Sequence, residues 1–398
     1  MNFLKSTNIP HLLFLLLVLG SCGKDKSKKS DEKVVVEDTL PKMKPLLHEK
    51  KLTASYVNSV KPRIAHFYNK LWPNNTMNGG FLVAKNGQVI FEKYNGYANR
   101  SKKTDITKDT PLHIASVSKV LTATAVLKLV DANKIQLDQK VNTILKTFPY
   151  PEVTVRMLLN HRSGMRQYSY FTDRNKEIWD RHNQLTNADI LNIMATKDIG
   201  LEYKTGTRFM YCNTNYAMLA LIIEKTTGLT YPVAMKEMIF KPLGMKNTYV
   251  FDFEKDKKTA VPSYKGNNVQ IGWDYLDSVY GDKNIYSTPR DLLKFDRARN
   301  SPEFLNKNLR KQIYVGYSNE HKGRKNYGLG IRMINWETGQ NFYFHNGWWH
   351  GNTSSYITLQ KENVTIIALS NKFTRTTYAV RKLVPIFGDY PFGFHDEE

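Results

Sequence analysis

The sequence has little cysteine, no close His/Asp/Glu group with a metal-ligand spacing and no apolar run long enough to span a bilayer as a helix. Its two cysteines, Cys22 and Cys212, lie in very different contexts, so we do not expect a disulfide framework. The ten histidines are scattered, without acidic neighbours at metal-ligand spacing. No glycine-rich phosphate loop precedes a predicted helix. These absences predict a protein that needs neither metal nor cofactor.

Acidic residues are also few beside basic ones, 36 against 58, which gives a formal net charge of +22 at pH 7. Nucleic-acid binding would require the basic residues to cluster with stacking aromatics or to form a recognisable module. Apart from a tract at residues 24–29 they are spread along the chain, so we expect no nucleic-acid partner. A diffuse basic surface near an acidic membrane or cell-wall polymer is the plainer explanation. The charge leaves a polyanion-binding lipoprotein open as an alternative.

What the chain does contain begins with a targeting segment at residues 1–21. Lys5 gives it a positive start, and the eight apolar residues 12–19 suit the hydrophobic region of a signal peptide. It leads into Leu-Gly-Ser-Cys, which resembles the lipobox of bacterial lipoproteins; an ordinary signal peptide that happens to contain a cysteine is the alternative. We expect a lipid on Cys22, anchoring in a membrane of the bacterial cell envelope (periplasmic or surface-exposed), and a charged tether over residues 22–55.

With 41% hydrophobic and 12% aromatic residues, the chain can bury a large core, and we place one domain at residues 56–390. Two strand-like runs flank Asn86-Gly87, the strongest short-range signal for a β-hairpin. Apolar residues recur at helical spacing from Ser116 to Asn133. A second helix is predicted from Asn213 to Thr227, ending near Gly228.

The last part of the chain returns to strand patterns. Strands are predicted at Tyr327–Asn335, Phe342–Asn346, Thr353–Gln360 and Val364–Ser370, before an amphipathic helix at Thr374–Phe387. Strands at both ends with helices between them predict an α+β fold, in which an antiparallel sheet is flanked by helices and a helical subdomain is inserted between its N- and C-terminal strands. The active cleft would lie where the two parts meet.

A serine three residues before a lysine is one candidate catalytic pair. The pattern occurs at Ser21/Lys24, Ser30/Lys33 and Ser116/Lys119. Only the third begins a predicted helix, where positions i and i+3 share one face. There the serine hydroxyl would meet the lysine amine, and the helix N-terminus would place positive potential beside a developing oxyanion. The alternative is an N-cap serine followed by a surface lysine.

Two further patterns, Tyr-x-Asn and His-x-Gly, are separated from chance matches by their order and setting. They occur at Tyr56/Asn58, Tyr97/Asn99, Tyr211/Asn213 and Tyr317/Asn319, and at His321/Gly323 and His345/Gly347. Tyr211 and Asn213 stand immediately before a predicted helix. His345 and Gly347 end a late strand, whereas His321 lies in a polar loop. Taken alone, Tyr211 could be a packed aromatic, Asn213 a helix N-cap and His345 a satisfied strand histidine.

Together with their neighbours, these residues resemble the class C beta-lactamase-like serine hydrolases, a family that also includes DD-peptidases, D-amino-acid peptidases and esterases. The similar segments are Gly96–Ala98, Ile114–Lys119, Leu158–Met165, Gly206–Asn213, Pro242–Met245 and Tyr286–Leu292. They follow the family's order and cover about residues 59–387. The resemblance implies a beta-lactamase/transpeptidase-like fold and a serine hydrolase without a cofactor.

The resemblance assigns the covalent chemistry to three residues. Ser116 would attack a carbonyl carbon and form an acyl-enzyme. Lys119 would accept or relay its proton, which requires a neutral amine. Tyr211 would act as general base in acylation and as proton donor to the leaving group, or share that work with Lys119.

It assigns substrate binding to residues of the second and third motifs. Asn213 would hydrogen-bond both Lys119 and an amide of the substrate. His345 would replace the lysine of the third motif, helping to position the substrate and to orient Tyr211. We expect the substrate to be a small molecule or peptide-like.

The strand that carries the third motif would supply main-chain groups. Backbone N–H groups of Ser116 and Trp348 would form the oxyanion hole, and Gly347 would let the substrate lie close to the strand. The adjacent Trp348, Trp349 and His350 either shape the substrate pocket or pack as a structural aromatic cluster.

The departures from the family pattern change the expected substrate. Asn346 stands where a hydroxyl residue is frequent, and His345 where many members have lysine. A neutral histidine attracts a substrate carboxylate less strongly than an ammonium group does. Ester or peptide-like substrates, related to the cell wall, are therefore favoured over beta-lactams. The alternative from another class is a catalytically inactive relative that binds cell-wall peptide or a protein partner.

Three other features receive a non-catalytic interpretation. Lys204-Thr205-Gly206 spells the third motif of many penicillin-interacting enzymes, but it stands just before Tyr211, so we interpret it as a loop. We assign His161 a structural role in a turn. Cys212 is expected to be a small buried residue, although a thiol so near the cleft would make an enzyme sensitive to alkylation.

Overall fold

The structure is a computed structural model that describes residues 51–173, 176–320 and 323–392. The predicted signal peptide, Cys22 and residues 22–50 of the predicted tether lie outside the described residues. The first helix begins at Ala54, two residues before the predicted start of the domain. Among the described residues, no helix combines the length and the apolarity needed to cross a bilayer.

Helices occupy most of the middle of the chain. The α-helices are, in chain order, α1 (Ala54–Leu71), α2 (Ser118–Asp131), α3 (Val141–Ile144), α4 (Val155–Leu159), α5 (Tyr168–Asp173), α6 (Asn187–Thr196), α7 (Asn213–Thr227), α8 (Tyr231–Met235), α9 (Phe253–Asp256), α10 (Pro289–Arg299) and α11 (Lys307–Ile313). Helices of 3-10 type lie at Pro73–Asn75, Ala115–Val117 and Thr376–Ile386, and a π-helix lies at Lys236–Phe240. Helix α7 has the predicted bounds, and Gly228 ends it with a φ of +71°, a conformation that glycine adopts without strain.

Strands lie at both ends of the chain. They are, in chain order, β1 (Gly79–Lys85), β2 (Gln88–Asn95), β3 (Tyr97–Asn99), β4 (Thr104–Asp105), β5 (Leu112–His113), β6 (Tyr249–Val250), β7 (Ser263–Tyr264), β8 (Gln270–Ile271), β9 (Ile285–Ser287), β10 (Lys325–Tyr327), β11 (Arg332–Asn335), β12 (Asn341–Trp349), β13 (Asn352–Leu359) and β14 (Val364–Ser370). A seven-stranded antiparallel sheet has the order β10-β11-β12-β13-β14-β1-β2. Three small sheets pair β3 with β4, β5 with β9 and β6, and β7 with β8.

The large sheet joins the two ends of the chain. Strand β1 pairs with β14 along its whole length, from Gly79 opposite Ser370 to Lys85 opposite Val364. The predicted hairpin is confirmed: β1 and β2 meet at Asn86 and Gly87, whose φ values of +52° and +79° suit the tight turn that this dipeptide favours. The helical subdomain enters between β2 and β10, so the predicted fold class is confirmed.

The two faces of the large sheet bury separate cores, because successive residues of a strand point to opposite faces. In β1, Phe81 and Val83 join one core with helix α1 and the C-terminal 3-10 helix. Leu82 and Ala84 join the larger core with the helical subdomain. Helix α2 lies in this larger core with residues 118–129 all buried, so its first turn is held firmly from every side.

Three predicted elements differ from the structure. The strand expected over Tyr327–Asn335 is two strands, β10 and β11, because Gly330 adopts a φ of +80° and the chain reverses between them. The C-terminal helix is of 3-10 type over Thr376–Ile386 and contains Pro385, which lacks the N–H that an α-helix would use. His345 and Gly347 lie inside β12 rather than at its end, since that strand continues to Trp349.

Candidate active site

The predicted nucleophile lies in a 3-10 turn that leads into helix α2. Ser116 occupies the middle of Ala115–Val117, and α2 begins at Ser118. Ala115 has a φ of +47°, a strained value for a residue with a Cβ. Its N–H donates to Nδ1 of the buried His113 at 3.0 Å. The Ser116 side chain is thus presented by a turn that is fixed from behind.

Lys119 is fully buried and lies one turn after the nucleophile. Its Nζ donates to Ser116 Oγ at 3.1 Å and to the main-chain carbonyl of Asp282 at 2.7 Å. The rings of Tyr211 and Tyr216 have centroids 5.1 and 5.7 Å from the same nitrogen. The amine is therefore directed at the serine hydroxyl and kept there by a carbonyl from a distant part of the chain.

Strand β12 passes directly beside the nucleophile turn at Gly347. A Cβ on this glycine would lie 2.8 Å from Ser116 N, 2.7 Å from the Ile114 carbonyl oxygen and 2.4 Å from Ser354 Oγ. No larger residue fits such distances without a shift of the main chain. Ser354 Oγ also donates to the Ile114 carbonyl at 2.6 Å, which fastens the sheet to the turn. The main chain of the strand thus lies beside Ser116 N–H, as two backbone donors for one oxyanion require.

Tyr211 lies between two basic side chains and against a buried histidine. Its ring centroid is 4.4 Å from that of His161, while Lys119 Nζ is 5.1 Å and Arg332 Cζ 4.7 Å from it. The main chain is fixed by Gln167, whose Nε2 donates to the Tyr211 carbonyl at 3.1 Å. Tyr211 thus shares the site with Lys119. Two of its other neighbours, Arg332 and Gln167, belong to none of the sequence motifs.

Asn213 is the first residue of helix α7, and its N–H donates to Oε1 of Gln167 at 2.8 Å. The predicted hydrogen bond to Lys119 is not formed, since Lys119 Nζ donates to Ser116 and Asp282 instead. The side-chain Oδ1 of Asn213 is buried and has no hydrogen-bond partner among the described residues. The N-cap position that was the alternative for Asn213 belongs to Cys212.

His345 lies beneath the cleft rather than on its surface. Its Nδ1 is 2.8 Å from the carbonyl oxygen of Asn346, so Nδ1 carries the proton and Nε2 accepts from the Tyr327 hydroxyl at 3.1 Å. Burial and the nearby Arg332 guanidinium lower the pKa of His345 well below its usual value, so the ring is neutral. The side chain has no exposed surface, so the substrate contact predicted for it is not available in this conformation.

The aromatic cluster after Gly347 divides into an exposed and a buried part. Trp348 is 62% exposed, and its ring centroid lies 6.3 Å from that of Phe373. Trp349 Nε1 and His350 Nε2 instead donate to the buried carboxylate of Asp277, at 2.7 and 3.0 Å. Trp348 therefore offers a surface that a substrate can reach, which fits the first expectation for this cluster. Its two neighbours pack inside the protein, which fits the second.

The structural role expected for His161 agrees with its position. It has a φ of +59°, and its Nδ1 accepts from the N–H of Cys212 at 3.1 Å and from Asn215 Nδ2 at 3.0 Å. Burial lowers its pKa well below the usual value, so the ring is neutral. Cys212 is buried as expected, but burial raises the pKa of its thiol to about 11. A protonated, enclosed thiol is a poor target, so the expected sensitivity to alkylation is not supported.

The segment Lys204–Gly206 forms a turn outside the sheet, which confirms its interpretation as a loop. Gly206 has a φ of +80°, and its N–H donates to the Arg162 carbonyl at 2.8 Å. Within the residues described by the structure, no group of three or more His, Cys, Asp or Glu side chains is arranged to hold a metal ion.

Sequence reasoning missed three residues that shape the site: Gln167, Asp282 and Arg332. Each comes from a different segment and none belongs to a short motif. Gln167 and Asp282 act through a side-chain amide and a main-chain carbonyl, for which a single sequence carries no signal. The sequence does carry a signal for Arg332, because a cationic residue inside an otherwise apolar strand pattern is unusual.

With this geometry established, comparison with known proteins defines the class. Residues 74–386 match the family described as beta-lactamase, so the chain belongs to that family. A penicillin-binding protein from Bacillus halodurans has a crystal structure that matches with a TM-score of 0.69 at 23% identity, over 80% of this chain and 98% of that one. The beta-lactamase/transpeptidase-like fold predicted from the motifs is therefore confirmed.

Two curated proteins are similar to this chain in sequence. Over 329 residues the chain is 29% identical to penicillin-binding protein 4* of Bacillus subtilis. The aligned region covers 78% of this chain and 72% of that protein. Over 275 residues the chain is 27% identical to teichoic acid D-alanine hydrolase of Staphylococcus aureus. The aligned region covers 68% of this chain and 65% of that protein. The chain is a serine hydrolase of the beta-lactamase family.

Proposed function

We propose that the protein is an acyl-enzyme-forming hydrolase of the bacterial cell envelope, with Ser116 as nucleophile and an ester or amide as substrate. The observation that carries this proposal is the 3.1 Å hydrogen bond from Lys119 Nζ to Ser116 Oγ. Membership of the beta-lactamase family supports the reaction class. The roles of individual residues rest on their geometry.

Acylation requires Lys119 in its neutral form, with the Nζ lone pair and not an N–H directed at Ser116 Oγ, 3.1 Å away. Nζ then accepts the proton of Ser116 as Oγ attacks the carbonyl carbon of the substrate. The Asp282 carbonyl, 2.7 Å from Nζ, remains a hydrogen-bond acceptor for the ammonium group that forms. Negative charge develops on the substrate oxygen, which the N–H groups of Ser116 and Trp348 stabilise. Gly347 permits this approach, because any side chain there would collide with the nucleophile turn.

Breakdown of the tetrahedral intermediate requires a proton for the leaving oxygen or nitrogen. Tyr211 supplies it and is recharged from Lys119, whose Nζ lies 5.1 Å from its ring. Hydrolysis reverses the sequence: water gives a proton to the Tyr211 and Lys119 pair, its oxygen bonds to the acyl carbon, and Ser116 leaves with a proton. Product acid and free enzyme result.

Two side chains support a substrate with polar groups around the scissile bond. The buried Oδ1 of Asn213 has no hydrogen-bond partner in the described part of the chain and is an acceptor for a substrate amide. The Arg332 guanidinium, 4.7 Å from the ring of Tyr211, supplies positive charge beside the reacting group. Because His345 is neutral, Arg332 rather than the third motif would attract an anionic substituent.

The cell-envelope location and the lipid anchor on Cys22 are part of the proposal. They are supported by the apolar segment and lipobox-like sequence before Cys22 and by the names of the relatives, one a penicillin-binding protein and one a teichoic acid D-alanine hydrolase. Labelled fatty acid should appear on the wild-type protein in bacteria and be absent from Cys22→Ser. Equal labelling of both proteins would argue against the anchor.

The reaction is tested with a soluble protein of residues 23–398 beside Ser116→Ala. Hydrolysis of short-chain aryl esters, a chromogenic cephalosporin and D-alanyl peptides is measured, and a fluorescent phosphonate is used to trap the nucleophile. We expect turnover of an ester or peptide and one covalent adduct by intact mass, both lost in Ser116→Ala. A folded wild-type protein that neither turns over nor labels would favour the alternative, a catalytically inactive relative that binds cell-wall peptide or a protein partner.

The role of Arg332 is tested with paired esters that differ only by a carboxylate near the scissile bond. Arg332→Gln should raise KM for the carboxylate ester by about tenfold, since one charge-assisted hydrogen bond is worth roughly 1.5 kcal/mol. The neutral ester should be affected much less. Equal effects on both esters would remove Arg332 from substrate binding.

A further inference from the structure

Residues 277–284 form a buried polar loop that is linked to the segments carrying all three catalytic motifs. Four of its side chains, those of Asp277, Asp282, Lys283 and Asn284, are each at most 3% exposed. Burial of so many polar groups is unfavourable unless each has a hydrogen-bond partner. Each of the four side chains makes at least one hydrogen bond, although Oδ1 of Asp282 has no hydrogen-bond partner among the described residues. The partners lead to the nucleophile, to Tyr211 and to strand β12.

The first contact is with the nucleophile turn. The Asp282 carbonyl accepts from Lys119 Nζ at 2.7 Å. Asn284 Oδ1 is 3.0 Å from His113 Nε2, and His113 Nδ1 accepts the N–H of Ala115 at 3.0 Å. Burial lowers the pKa of His113 to about 4, so its single proton sits on Nε2 and is donated to Asn284. The loop thus fixes both the amine and the strained residue before the nucleophile.

The second contact is with the segment that holds Tyr211. Tyr168 Oη donates to the Asp282 carboxylate at 2.8 Å and accepts from Lys283 Nζ at 2.8 Å. The preceding residue, Gln167, donates to the Tyr211 carbonyl at 3.1 Å. A change in the Asp282–Lys283 pair would therefore be passed through Tyr168 to the main chain of Tyr211.

The third contact is with the end of strand β12. The Asp277 carboxylate accepts from Trp349 Nε1 at 2.7 Å and from His350 Nε2 at 3.0 Å. Lys283 Nζ lies 4.7 Å from the Trp349 ring centroid. These residues follow Gly347 by two and three positions, so the loop also limits where the oxyanion-binding strand can lie.

We propose that the 277–284 loop is the element that sets Lys119 against Ser116, with Asp277 and Lys283 as its positioning residues. Neither side chain hydrogen-bonds Ser116, Lys119 or Tyr211; they act through the Asp282 carbonyl, Tyr168 and the end of β12. The inference rests on the proposed function of Ser116. A displacement of about 1 Å at a reacting group can lower a rate by roughly 10²-fold, so loss of this support should be measurable.

The test substitutes each positioning residue and measures the acylation rate of the folded protein. Asp277→Asn keeps the side-chain size but replaces one acceptor oxygen with an NH2 donor. Lys283→Met removes the ammonium group. We expect phosphonate labelling of Ser116 to slow by about 10- to 100-fold in each variant, with KM for an ester changed less than about threefold. Hydrogen exchange should become faster in the peptide that spans residues 113–119.

Two controls separate positioning from a general loss of structure. Asp274→Asn changes a carboxylate that, within the described residues, accepts from the nearby Leu276 N–H at 2.8 Å, and it keeps the Asp274 main-chain N–H that donates to Asp277. Its labelling rate should equal that of wild type. His350→Gln retains a donor for Asp277 and should be close to wild type, whereas His350→Ala should be slow. If Asp277→Asn or Lys283→Met fails to fold, the labelling rates of His350→Gln and His350→Ala test the positioning role instead.

The outcomes distinguish the two proposals. A wild-type protein that labels at Ser116 beside slowly labelled variants supports the positioning role. Wild-type labelling rates in Asp277→Asn and Lys283→Met, with unchanged exchange at residues 113–119, would overturn it and leave the proposed function intact. A wild-type protein that does not label would overturn the proposed function and, with it, the catalytic meaning of the loop.

Discussion

The two walls of the candidate site are held in different ways. The helical wall, defined by Ser116, Lys119 and Tyr211, is fixed by individual side-chain contacts such as Lys119 to the Asp282 carbonyl at 2.7 Å. The strand wall, defined by Gly347 and Trp348 of β12, is fixed by main-chain pairing with β13. One wall places reactive groups singly, and the other supplies a continuous backbone surface.

The two walls should therefore tolerate different substitutions. On the helical wall a change in one side chain removes a proton-transfer group but leaves the backbone in place. On the strand wall almost any side chain at Gly347 obstructs the site, while at Trp348 the side chain is exposed and its Nε1 donates to the His350 carbonyl at 2.8 Å. Substitutions on the two walls should therefore affect different kinetic constants.

Loss of the lysine should have the largest effect. Lys119→Met keeps a side chain of similar length but removes the proton acceptor, so kcat/KM for an ester should fall by about 10³-fold. The matched control is Lys128→Met on the same helix, a buried lysine whose Nζ donates to the Phe304 carbonyl at 3.0 Å. That control should alter stability and not rate. A Lys119→Met enzyme with more than a tenth of wild-type activity would contradict the proposed role.

A methyl group on the strand wall should have the next largest effect. Gly347→Ala forces β12 away from Ser116 N, because the added Cβ would lie 2.8 Å from that atom. We expect kcat to fall by about 10²-fold through displacement of the oxyanion-binding groups. Gly272→Ala, where a Cβ meets nothing within 4 Å, is the control. An unaffected Gly347→Ala enzyme would show that the two walls do not need to be so close.

Each wall also rests on a buried neutral histidine, His161 on the helical side and His345 on the strand side. Burial lowers both pKa values in the folded protein, so below about 6.5 the unfolded chain takes up protons that the folded chain does not. Stability from this source is complete above that pH and is lost as the pH falls. The free energy of unfolding, measured by chemical denaturation from pH 8 to 4.5, should fall less steeply in His161→Gln and His345→Gln.

The exposed His66 provides the comparison for this acid effect. His66→Gln, at a position outside both walls, controls for the histidine-to-glutamine substitution itself. A slope that is the same in all three variants would mean that carboxylates, and not the two buried histidines, account for acid destabilisation. A slope reduced in only one of them would show that the walls respond unequally to acid.

The smallest effect is expected at the exposed end of the strand wall. Trp348→Ala removes a ring that is 62% exposed, so stability should change little. If the ring contacts the substrate, KM should rise about two- to fivefold while kcat is retained, since uniform binding is lost without a change at the reacting atoms. A tenfold fall in kcat would instead mean that the ring positions its own backbone N–H.

The sequence predicted well those features that depend on neighbouring residues. The Asn86-Gly87 hairpin and the helix from Asn213 to Thr227 are set by local turn and capping chemistry, and both formed as expected. Ser116 and Lys119 meet because positions three apart share one face of a helix. Such patterns are visible in one sequence because the interacting groups are close along the chain.

Features set by distant contacts could not be predicted. The burial of His345 depends on Tyr327 and on the packing of β12, and the hydrogen bond of Lys119 goes to Asp282 rather than to Asn213. The turn at Gly330 interrupts a run whose composition reads as one strand. For His345 and Lys119 the partner belongs to another segment, so the sequence near the residue does not indicate it.

The pairing of β1 with β14 has a consequence for the order in which the protein can form. Gly79 lies opposite Ser370, so the hairpin of β1 and β2 is completed by a strand that is synthesised much later than the hairpin itself. A two-stranded hairpin alone is only marginally stable, and contacts between such distant residues form slowly. Ser116 and Gly347 likewise meet only when nearly the whole chain is present. A chain that is still being made, or that crosses a membrane unfolded, therefore carries no assembled hydrolase with it.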